Sequence, residues 1–259
     1  MKLKPTLFKI GFILVKMIIS KQNALVKEIR ALSDKKFRDK LGVFIVEGIK
    51  PVKEAIALSL PIRNIVGTES GLKNVDASGY SVEEVSPAVF DYISEEKTPQ
   101  GVLAVIFKPE NRLEKPDGHC LLLDGVSDPS NVGAIIRTAA ASGFNQVYMT
   151  DDSADAYSQK AVRSSMSGIF RVKVMRGEIG NLLSVINLPL VVADMGGKNV
   201  FFNTIKDKCC LVIGNEGRGV SGAIKEKADY TVSIPMENGV ESLNAAVSAG
   251  ILMYALKNK

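Results

Sequence analysis

The second half of the chain alternates short apolar runs with segments of helical periodicity, and this alternation constrains the fold more than any other feature. Six apolar runs are separated by helical stretches: Leu121 to Leu123, Gln146 to Met149, Phe170 to Val174, Leu190 to Val192, Cys210 to Ile213 and Thr231 to Ile234. Apolar strands separated by helices form a parallel sheet that helices cover on both faces. We therefore expect a parallel α/β domain whose ligand lies beyond the carboxyl ends of the strands.

A proline-containing, charged segment separates this domain from the residues before it. Residues 108–118 include Pro109 and Pro116 and only one large apolar side chain, Leu113, which is typical of a connector. We predict a linker at 108–118, a small α/β domain at 21–107 and a larger one at 119–259. The small domain contains strand-like runs at 43–46, 62–66 and 102–107. Residues 1–20 are expected to form an N-terminal extension, with a second candidate start at Met17.

Positive charge concentrates near the N-terminus, where residues 1–54 contain 13 Lys and Arg against 5 Asp and Glu, leaving 20 against 23 elsewhere. A strip formed by Lys35, Lys36, Arg38 and Lys40 is expected to face solvent, either as a solvated helix surface or as an RNA-binding surface. The apolar stretch from Phe8 to Ser20 is interrupted by two lysines and lacks a cleavage site, so we expect no membrane anchor.

Few side chains are suited to metal or imidazole chemistry. His119 is the only histidine, so a Ser-His-Asp triad, a Cys/His zinc site and a histidine general base are all excluded elsewhere in the chain. Asp151, Asp152 and Asp155 follow a strand, where aspartates serve as turn and cap residues, so we expect no metal site. Three sparse cysteines indicate a reducing, cytoplasmic compartment.

Three strand-to-helix loops carry polar residues that local structure does not explain. In the first, Asp128 and Pro129 suit the start of a helix, but local structure does not explain Asn131 or Arg137. Arg137 either pairs with a carboxylate or contacts a substrate phosphate. The second, Gly214 to Gly219, lacks the acidic residue that a dinucleotide site needs about twenty positions later, which disfavours an oxidoreductase. Glu216 there either partners an arginine or faces solvent.

The third loop, from Ile234 to Asn244, opens the C-terminal helix. Ser242 is expected to cap that helix, whereas Asn244 has no local explanation. The three loops together resemble the three motifs of the SpoU/TrmH family of RNA 2′-O-ribose methyltransferases, which belong to the SPOUT superfamily. The resemblance covers residues 120–257 and includes a segment from Ala161 to Arg171. Glu47-Gly48, Glu54-Ala55 and the run 98–101 resemble the ribosomal-protein-like substrate-binding domain that precedes such catalytic units.

The resemblance implies a fold, a cofactor and a set of site residues. It implies a trefoil-knotted α/β domain that binds S-adenosyl-L-methionine (AdoMet) and forms a homodimer. By position, Gly214, Ile234 and Leu243 correspond to cofactor-contacting residues. The family's catalytic and structural polar set corresponds to Asn131, Arg137, Glu216, Ser242 and Asn244. Arg163, in the segment between the first two motifs, is expected to contact RNA together with the basic strip.

The implied reaction is attack of a ribose 2′-hydroxyl on the methyl group of the cofactor, which requires loss of one proton. Arg137 is a poor base, because neutralising a guanidinium at pH 7 costs about 7 kcal/mol. We expect Arg137 to hold the target phosphate and stabilise the developing alkoxide, and Glu216 to orient Arg137 or its loop. The N-terminal domain favours ribosomal over transfer RNA. The alternative is an RNA-binding relative that has lost methyl transfer.

Overall fold

A computed structural model describes residues 17–202, 205 and 207–257 and places the chain in two sheets. The predicted N-terminal extension lies outside the described residues up to position 16. Ile18 is described and forms a bridge with Val85 at the edge of the first sheet. None of the described helices has the length and apolar character needed to cross a bilayer.

The first sheet has four strands in the order β1-β4-β2-β3. The strands are β1 (Val43–Glu47), β2 (Ile62–Gly67), β3 (Val82–Glu84) and β4 (Val102–Phe107). The helices around them are α1 (Ala24–Ala31), α2 (Lys35–Leu41), α3 (Ile49–Ala57), α4 (Glu69–Leu72) and α5 (Pro87–Ile93). Three strands were predicted. The fourth, β3, is short and carries two glutamates, so no apolar run marks it.

The second sheet has six strands in the order β10-β8-β9-β5-β6-β7, and every neighbouring pair is parallel. The strands are β5 (Cys120–Asp124), β6 (Gln146–Thr150), β7 (Lys173–Gly177), β8 (Leu190–Asn199), β9 (Cys210–Gly214) and β10 (Tyr230–Ser233). The main helices are α6 (Pro129–Ser142), α7 (Gln159–Ser164), α8 (Ile179–Val185), α9 (Gly222–Lys225) and α10 (Ala245–Lys257). The predicted parallel α/β sheet is confirmed.

One predicted strand begins in the wrong place. The apolar run from Phe170 to Val174 was expected to be a strand, but Gly168–Phe170 forms a 3-10 turn and β7 starts at Lys173. The turn is needed because Gly168 packs directly on the backbone of α6: a Cβ at this position would lie 2.8 Å from the Cα of Arg137. A tertiary contact thus overrides the local apolar pattern.

Arg38 corrects the prediction of a solvent-facing basic strip. Its side chain is only 3% exposed, and its Nη2 lies 2.6 Å from Oδ2 of Asp155 in the second domain. Its Nη1 donates to the carbonyl oxygens of Leu32 and Ser33 at 2.6 and 2.8 Å. The prediction is wrong for Arg38 because a buried guanidinium needs its donors satisfied within the protein.

The other four predicted RNA-contacting residues are exposed. They are Lys35, Lys36, Lys40 and Arg163. Arg163 Nη1 lies 2.7 Å from Oε1 of Glu96, so it forms a second ion pair between the domains.

The connector between the domains is packed against the larger one. Tyr148 donates its hydroxyl hydrogen to the carbonyl oxygen of Glu114 at 2.7 Å. Asn111 bonds to both backbone groups of Arg176 at 2.9 Å. Leu113 contacts the apolar cluster beneath the sheet. Segment 108–118 is therefore hydrogen-bonded to the larger domain at several points, although residues 109–112, 115 and 117 are exposed.

Candidate active site

The three predicted cofactor residues line one cavity at the carboxyl ends of β8, β9 and β10. The cavity has a volume of about 720 Å³ and is lined by Gly214, Ile234 and Leu243, among others. It lies where an open parallel sheet presents its ligand site. Leu252 from α10 adds apolar surface, and Asp194 on β8 adds a carboxylate that pairs with Lys225 at 2.6 Å. The cavity therefore combines apolar walls with backbone groups of the loop that follows β9.

The loop that follows β9 folds back on itself so closely that position 214 must be glycine. A Cβ at this position would lie 2.3 Å from the carbonyl carbon of Gly219 and from the backbone nitrogen of Val220. Asn215 and Gly219 exchange backbone hydrogen bonds of 3.0 and 2.9 Å, and Gly219 has a φ of +68°. The loop can close in this way only without a side chain at 214.

Asn215 is a residue that sequence reasoning missed. Its Nδ2 donates to the carbonyl oxygen of Gly125 at 2.7 Å, which ties the second loop to the first. Its Oδ1 accepts from the backbone nitrogens of Gly217 and Arg218, both at 3.0 Å. The only sequence signal was an asparagine next to a glycine, which is common in ordinary turns.

Glu216 anchors the first loop. Its Oε2 accepts from the backbone nitrogen and the hydroxyl of Ser127 at 3.1 and 2.9 Å, and its Oε1 accepts from Nδ2 of Asn131 at 2.9 Å. Partial burial raises the pKa of this carboxyl, but the hydrogen bonds from Asn131 and Ser127 outweigh it and lower the pKa to about 2. Glu216 is thus an ionised acceptor at neutral pH.

Asn131 connects Glu216 to the third loop. While its Nδ2 donates to Glu216, its Oδ1 accepts from Nδ2 of Asn244 at 2.9 Å. The Oδ1 of Asn244 in turn accepts from the backbone nitrogens of Ala246 and Val247 at 2.9 and 3.3 Å. One chain of hydrogen bonds therefore joins all three loops, with each amide fixed in orientation by its neighbours.

The same bonds correct the prediction that Ser242 caps the C-terminal helix. Asn244 provides the cap, because α10 begins at Ala245 and the amide oxygen of Asn244 reaches its first free backbone nitrogens. Ser242 lines the cavity and is exposed, and it makes no side-chain hydrogen bond to a described residue. The predicted cap at the first loop is confirmed, since Asp128 accepts from the backbone nitrogen of Ser130 at 2.9 Å.

Arg137 lies apart from the other predicted catalytic residues. Six positions along an α-helix from Asn131 correspond to about 9 Å and a turn of about 120° away from it. The exposed Arg137 side chain faces a second opening, which we call the interdomain cleft. The cleft has a volume of about 750 Å³ and is bounded by segments 47–54 and 96–100 of the first domain and by α6 and segment 165–171 of the second. Glu216 therefore orients the loop, and among described residues it has no bond to Arg137.

Two of the three aspartates that follow β6 have side-chain partners within the protein. Asp155 pairs with Arg38, and Asp152 accepts from the hydroxyl of Thr150 at 2.6 Å. Within the described part of the chain, no group of three or more His, Cys, Asp or Glu side chains is placed to hold a metal ion. His119 lies beside Cys209, away from the cavity, and burial lowers its pKa.

Comparison with known proteins agrees with this arrangement. Residues 118–254 match the SpoU rRNA methylase family, and residues 23–104 match the MRM3-like substrate binding domain. The chain belongs to the SpoU rRNA methylase family. The match to the first model spans the sheet and all three loops, so the hydrogen-bonded loops described above are those of a SpoU methylase.

Two relatives and one solved structure extend over nearly the whole chain. A 23S rRNA (guanosine(2553)-2′-O)-methyltransferase of Bacillus subtilis is 34% identical over 257 residues, which cover 94% of this chain and 100% of the relative. A 23S rRNA (uridine(2479)-2′-O)-methyltransferase of Streptomyces viridochromogenes is 29% identical, covering 91% of this chain and 90% of the relative. The crystal structure of an AdoMet-bound rRNA methyltransferase from Sinorhizobium meliloti has a TM-score of 0.84 at 28% identity, covering 94% and 97%.

Proposed function

We propose that this SpoU-family protein is an AdoMet-dependent methyltransferase that methylates a ribose 2′-hydroxyl of ribosomal RNA. The observation that carries the proposal is the chain of hydrogen bonds from Glu216 through Asn131 to Asn244, which holds three loops around one cavity. Relatives that are similar over nearly the whole chain are named as 23S rRNA 2′-O-methyltransferases. Residues 21–107 serve as the substrate-binding domain, 108–118 as the linker and 119–259 as the methyltransferase domain.

The residues present fit AdoMet. The cavity has apolar walls from Ile234, Leu243 and Leu252, which suit an adenine ring, and exposed backbone groups near Gly214, which suit its polar edge. When bound, AdoMet supplies a methyl group on a sulfonium, which a hydroxyl oxygen can attack directly. The low pKa of Glu216 keeps that carboxylate charged and the loops in one arrangement at neutral pH.

Arg137 holds the target phosphate and stabilises the oxygen that becomes negative during attack. A guanidinium matches a phosphate with two parallel hydrogen bonds, whereas its use as a base would cost about 7 kcal/mol at pH 7. The described residues include no ion-pair partner for Arg137, which leaves its donors available to a substrate. The proton therefore leaves late in the reaction or passes to water.

The proposed enzyme is a homodimer, and its active site is shared between copies. Arg137 lies outside the cavity of its own chain, so a second copy is needed to place an Arg137 beside the reacting methyl group. Val247 and Tyr254 on α10 are apolar or aromatic side chains that are 50% and 45% exposed, which supports burial against a partner. The trefoil knot in this domain is proposed from the family resemblance alone. The proposed location is the cytoplasm, consistent with three free cysteines.

The direct experiment is methyl transfer from labelled AdoMet to ribosomal RNA prepared from a strain that lacks this protein. We expect label at one ribose with the wild-type protein and at least about a hundredfold loss with Arg137→Ala, while AdoMet affinity stays within about twofold. The matched control is Arg112→Lys, at an exposed position in the linker. Near-native turnover by Arg137→Lys would contradict the phosphate-holding role, because lysine lacks the two-pronged fork.

One alternative function is distinguished by the same assay. A non-catalytic RNA-binding relative would bind AdoMet or RNA but transfer no label to any ribosomal RNA. Lys35, Lys36, Lys40 and Arg163 are proposed RNA contacts in either case, since all four are exposed and basic. Arg38 is not among them, because it is buried between the domains.

A further inference from the structure

We propose that the interdomain cleft holds one unstacked nucleotide of the RNA, next to the target nucleotide, and that Met166 and Gln100 are the side chains that contact its base. This inference rests on the proposed function, and it assigns a role to a cavity that the AdoMet site does not use. The cleft is as large as the cofactor cavity, at about 750 Å³, and it lies between the proposed methyltransferase and substrate-binding domains.

The first supporting feature is a strained turn that projects Met166 into the cleft. Met166 and Ser167 both have left-handed backbone conformations, with φ values of +46° and +66°. Such conformations are unfavourable for residues other than glycine and persist where the surroundings enforce them, often at functional sites. Here Gly168 is pressed against the backbone of Arg137, and Arg171, which pairs with Glu54 of the other domain, donates to the carbonyl oxygen of Ser167 at 3.1 Å.

The strain leaves Met166 58% exposed, although an apolar side chain gains free energy from burial. A flexible thioether against a flat ring is a favourable contact. The exposed Met166 side chain at the wall of the cleft therefore provides a surface on which a nucleobase can stack.

The second feature is the fixed orientation of Gln100. Its Oε1 accepts from the backbone nitrogen of Ile49 at 2.8 Å, so this oxygen is used within the protein. The Nε2 group, with two donors, is left on an exposed side chain that lines the cleft. Every nucleobase has an acceptor on its edge that such an amide can reach.

The third feature is Glu47, at the floor of the cleft. Its Oε1 accepts from the hydroxyl of Ser94, whereas its buried Oε2 has no partner among the described residues. A buried acceptor without a donor is unfavourable, and a small opening of this wall of the cleft would let the N–H edge of a base satisfy it. Burial raises the pKa of Glu47, as expected for a carboxyl group held away from water.

The charges around the cleft favour a nucleotide over an uncharged ligand. Arg171 lines the cleft and pairs with Glu54, but Lys50 and Arg137 have no ion-pair partner among the described residues. These two cations at the edge of the cleft suit the phosphates that flank a nucleotide, and the polar and apolar side chains inside the cleft suit its base. Because Arg137 also belongs to the proposed catalytic set, the nucleotide in the cleft adjoins the one that is methylated.

Kinetic variants test the proposal, with the full-length protein, saturating AdoMet and the RNA that the wild-type protein methylates. Met166→Ala and Gln100→Glu are each expected to raise the KM for RNA about tenfold, with kcat and AdoMet affinity within about twofold. Glutamate at position 100 keeps an acceptor for the Ile49 nitrogen but lacks the amide donor. The matched controls Met17→Ala and Gln22→Ala change exposed residues that lie outside the cleft, before and at the start of the first domain, and should leave KM unchanged.

A structural role for Gln100 gives a different pattern. In that case Gln100→Ala would have a raised KM for RNA and Gln100→Glu would have the wild-type KM, which overturns the base-contacting role. Unchanged KM values in both Met166→Ala and Gln100→Glu also overturn the proposal while leaving the methyltransferase assignment intact.

Photocrosslinking supplies a readout that does not depend on turnover. Ribosomal RNA containing 4-thiouridine should crosslink to peptides that include Gln100 or Met166, and crosslinks confined to other peptides overturn the proposal. If free nucleoside monophosphates protect these peptides as well as the RNA does, the cleft is a small-molecule site and the proposal is wrong. Absence of methyl transfer by the wild-type protein would instead count against the proposed function, and the crosslinks would still test the cleft.

Discussion

Replacing Glu216 by glutamine should weaken the connection between the loops, because only a carboxylate can accept on both of its oxygens here. Ser127 donates to one oxygen through two groups, and Asn131 donates to the other. Glutamine keeps one acceptor and places an NH₂ group against a donor on the opposite side. Rotating Asn131 to compensate would break its bond with Asn244.

Two physical terms set the size of the effect. A pKa lowered from 4.5 to about 2 corresponds to about 3 kcal/mol of stabilisation, at 1.36 kcal/mol per unit. Glu216 is more than a third exposed, so solvent screening reduces this value to about 1–2 kcal/mol. A buried donor left without an acceptor adds about 1 kcal/mol. We therefore expect Glu216→Gln to lower the free energy of unfolding by about 2–3 kcal/mol at pH 7.

The pH dependence of this stability difference separates the contribution of the ionised Glu216 carboxylate from that of side-chain packing. Because the folded-state pKa is lowered, the stabilisation is complete above about pH 5 and is lost as the pH falls through about 2. Urea unfolding of wild-type and Glu216→Gln proteins should therefore show a difference that is largest at pH 7 and smaller by about 1 kcal/mol at pH 3. Glu226→Gln, at an exposed position with no described side-chain partner, is the matched control.

Two results would refute this reasoning. If Glu216→Gln unfolded at the same urea concentration as wild type at pH 7, the hydrogen bonds would contribute nothing to stability. If the difference were independent of pH between 3 and 7, the effect would come from side-chain shape and not from the ionised carboxylate.

Three further substitutions have sharp expected outcomes. Arg38→Ala should lower the free energy of unfolding by about 3–5 kcal/mol, since it leaves Oδ2 of the partly buried Asp155 and two carbonyl oxygens unpaired. Exposed Lys36→Ala should change it by less than about 0.5 kcal/mol in the same urea titration. Gly214→Ala should abolish measurable AdoMet binding by calorimetry and destabilise the fold by about 2 kcal/mol or more. Gly217→Ala, whose Cβ would meet no atom closer than 3.6 Å, should bind normally. Asn244→Asp keeps the helix cap but loses the amide donor to Asn131. We therefore expect near-native helicity by circular dichroism and an AdoMet affinity reduced about tenfold. Native AdoMet affinity would show that the hydrogen bond between Asn244 and Asn131 does not shape the cofactor cavity.

Local features of the sequence predicted much of the catalytic domain. Six apolar runs between helical segments indicated a parallel sheet, because strands buried on both faces consist mainly of apolar side chains. Asp128 and Pro129 correctly marked the start of α6, since a cap depends on atoms only two or three residues away. The family motifs located the cavity residues Gly214, Ile234 and Leu243. β3 was missed because its three residues carry no apolar pattern.

Several other failures involve partners that are distant in the chain. Arg38 looked like a member of a solvent-facing strip until the second domain placed Asp155 against it, 117 positions later. Asn244 seemed to need a functional explanation, although it is both a helix cap and the partner of Asn131. Asn215 was not singled out, because its bond to Gly125 exists only when two loops meet.

The sequence by itself determined the class of each domain, the family and the chemistry its residues can perform, because periodicity, caps and motif spacing act over a few neighbouring residues. Tertiary structure alone decided which polar groups share a site. Glu216 has a lowered pKa only because Ser127 and Asn131 converge on it from another loop. Arg137 faces the interdomain cleft because of where α6 packs and how far the helix turns after Asn131. Hydrogen bonds and burial depend on distances of a few ångströms in space, and only the folded chain sets those distances.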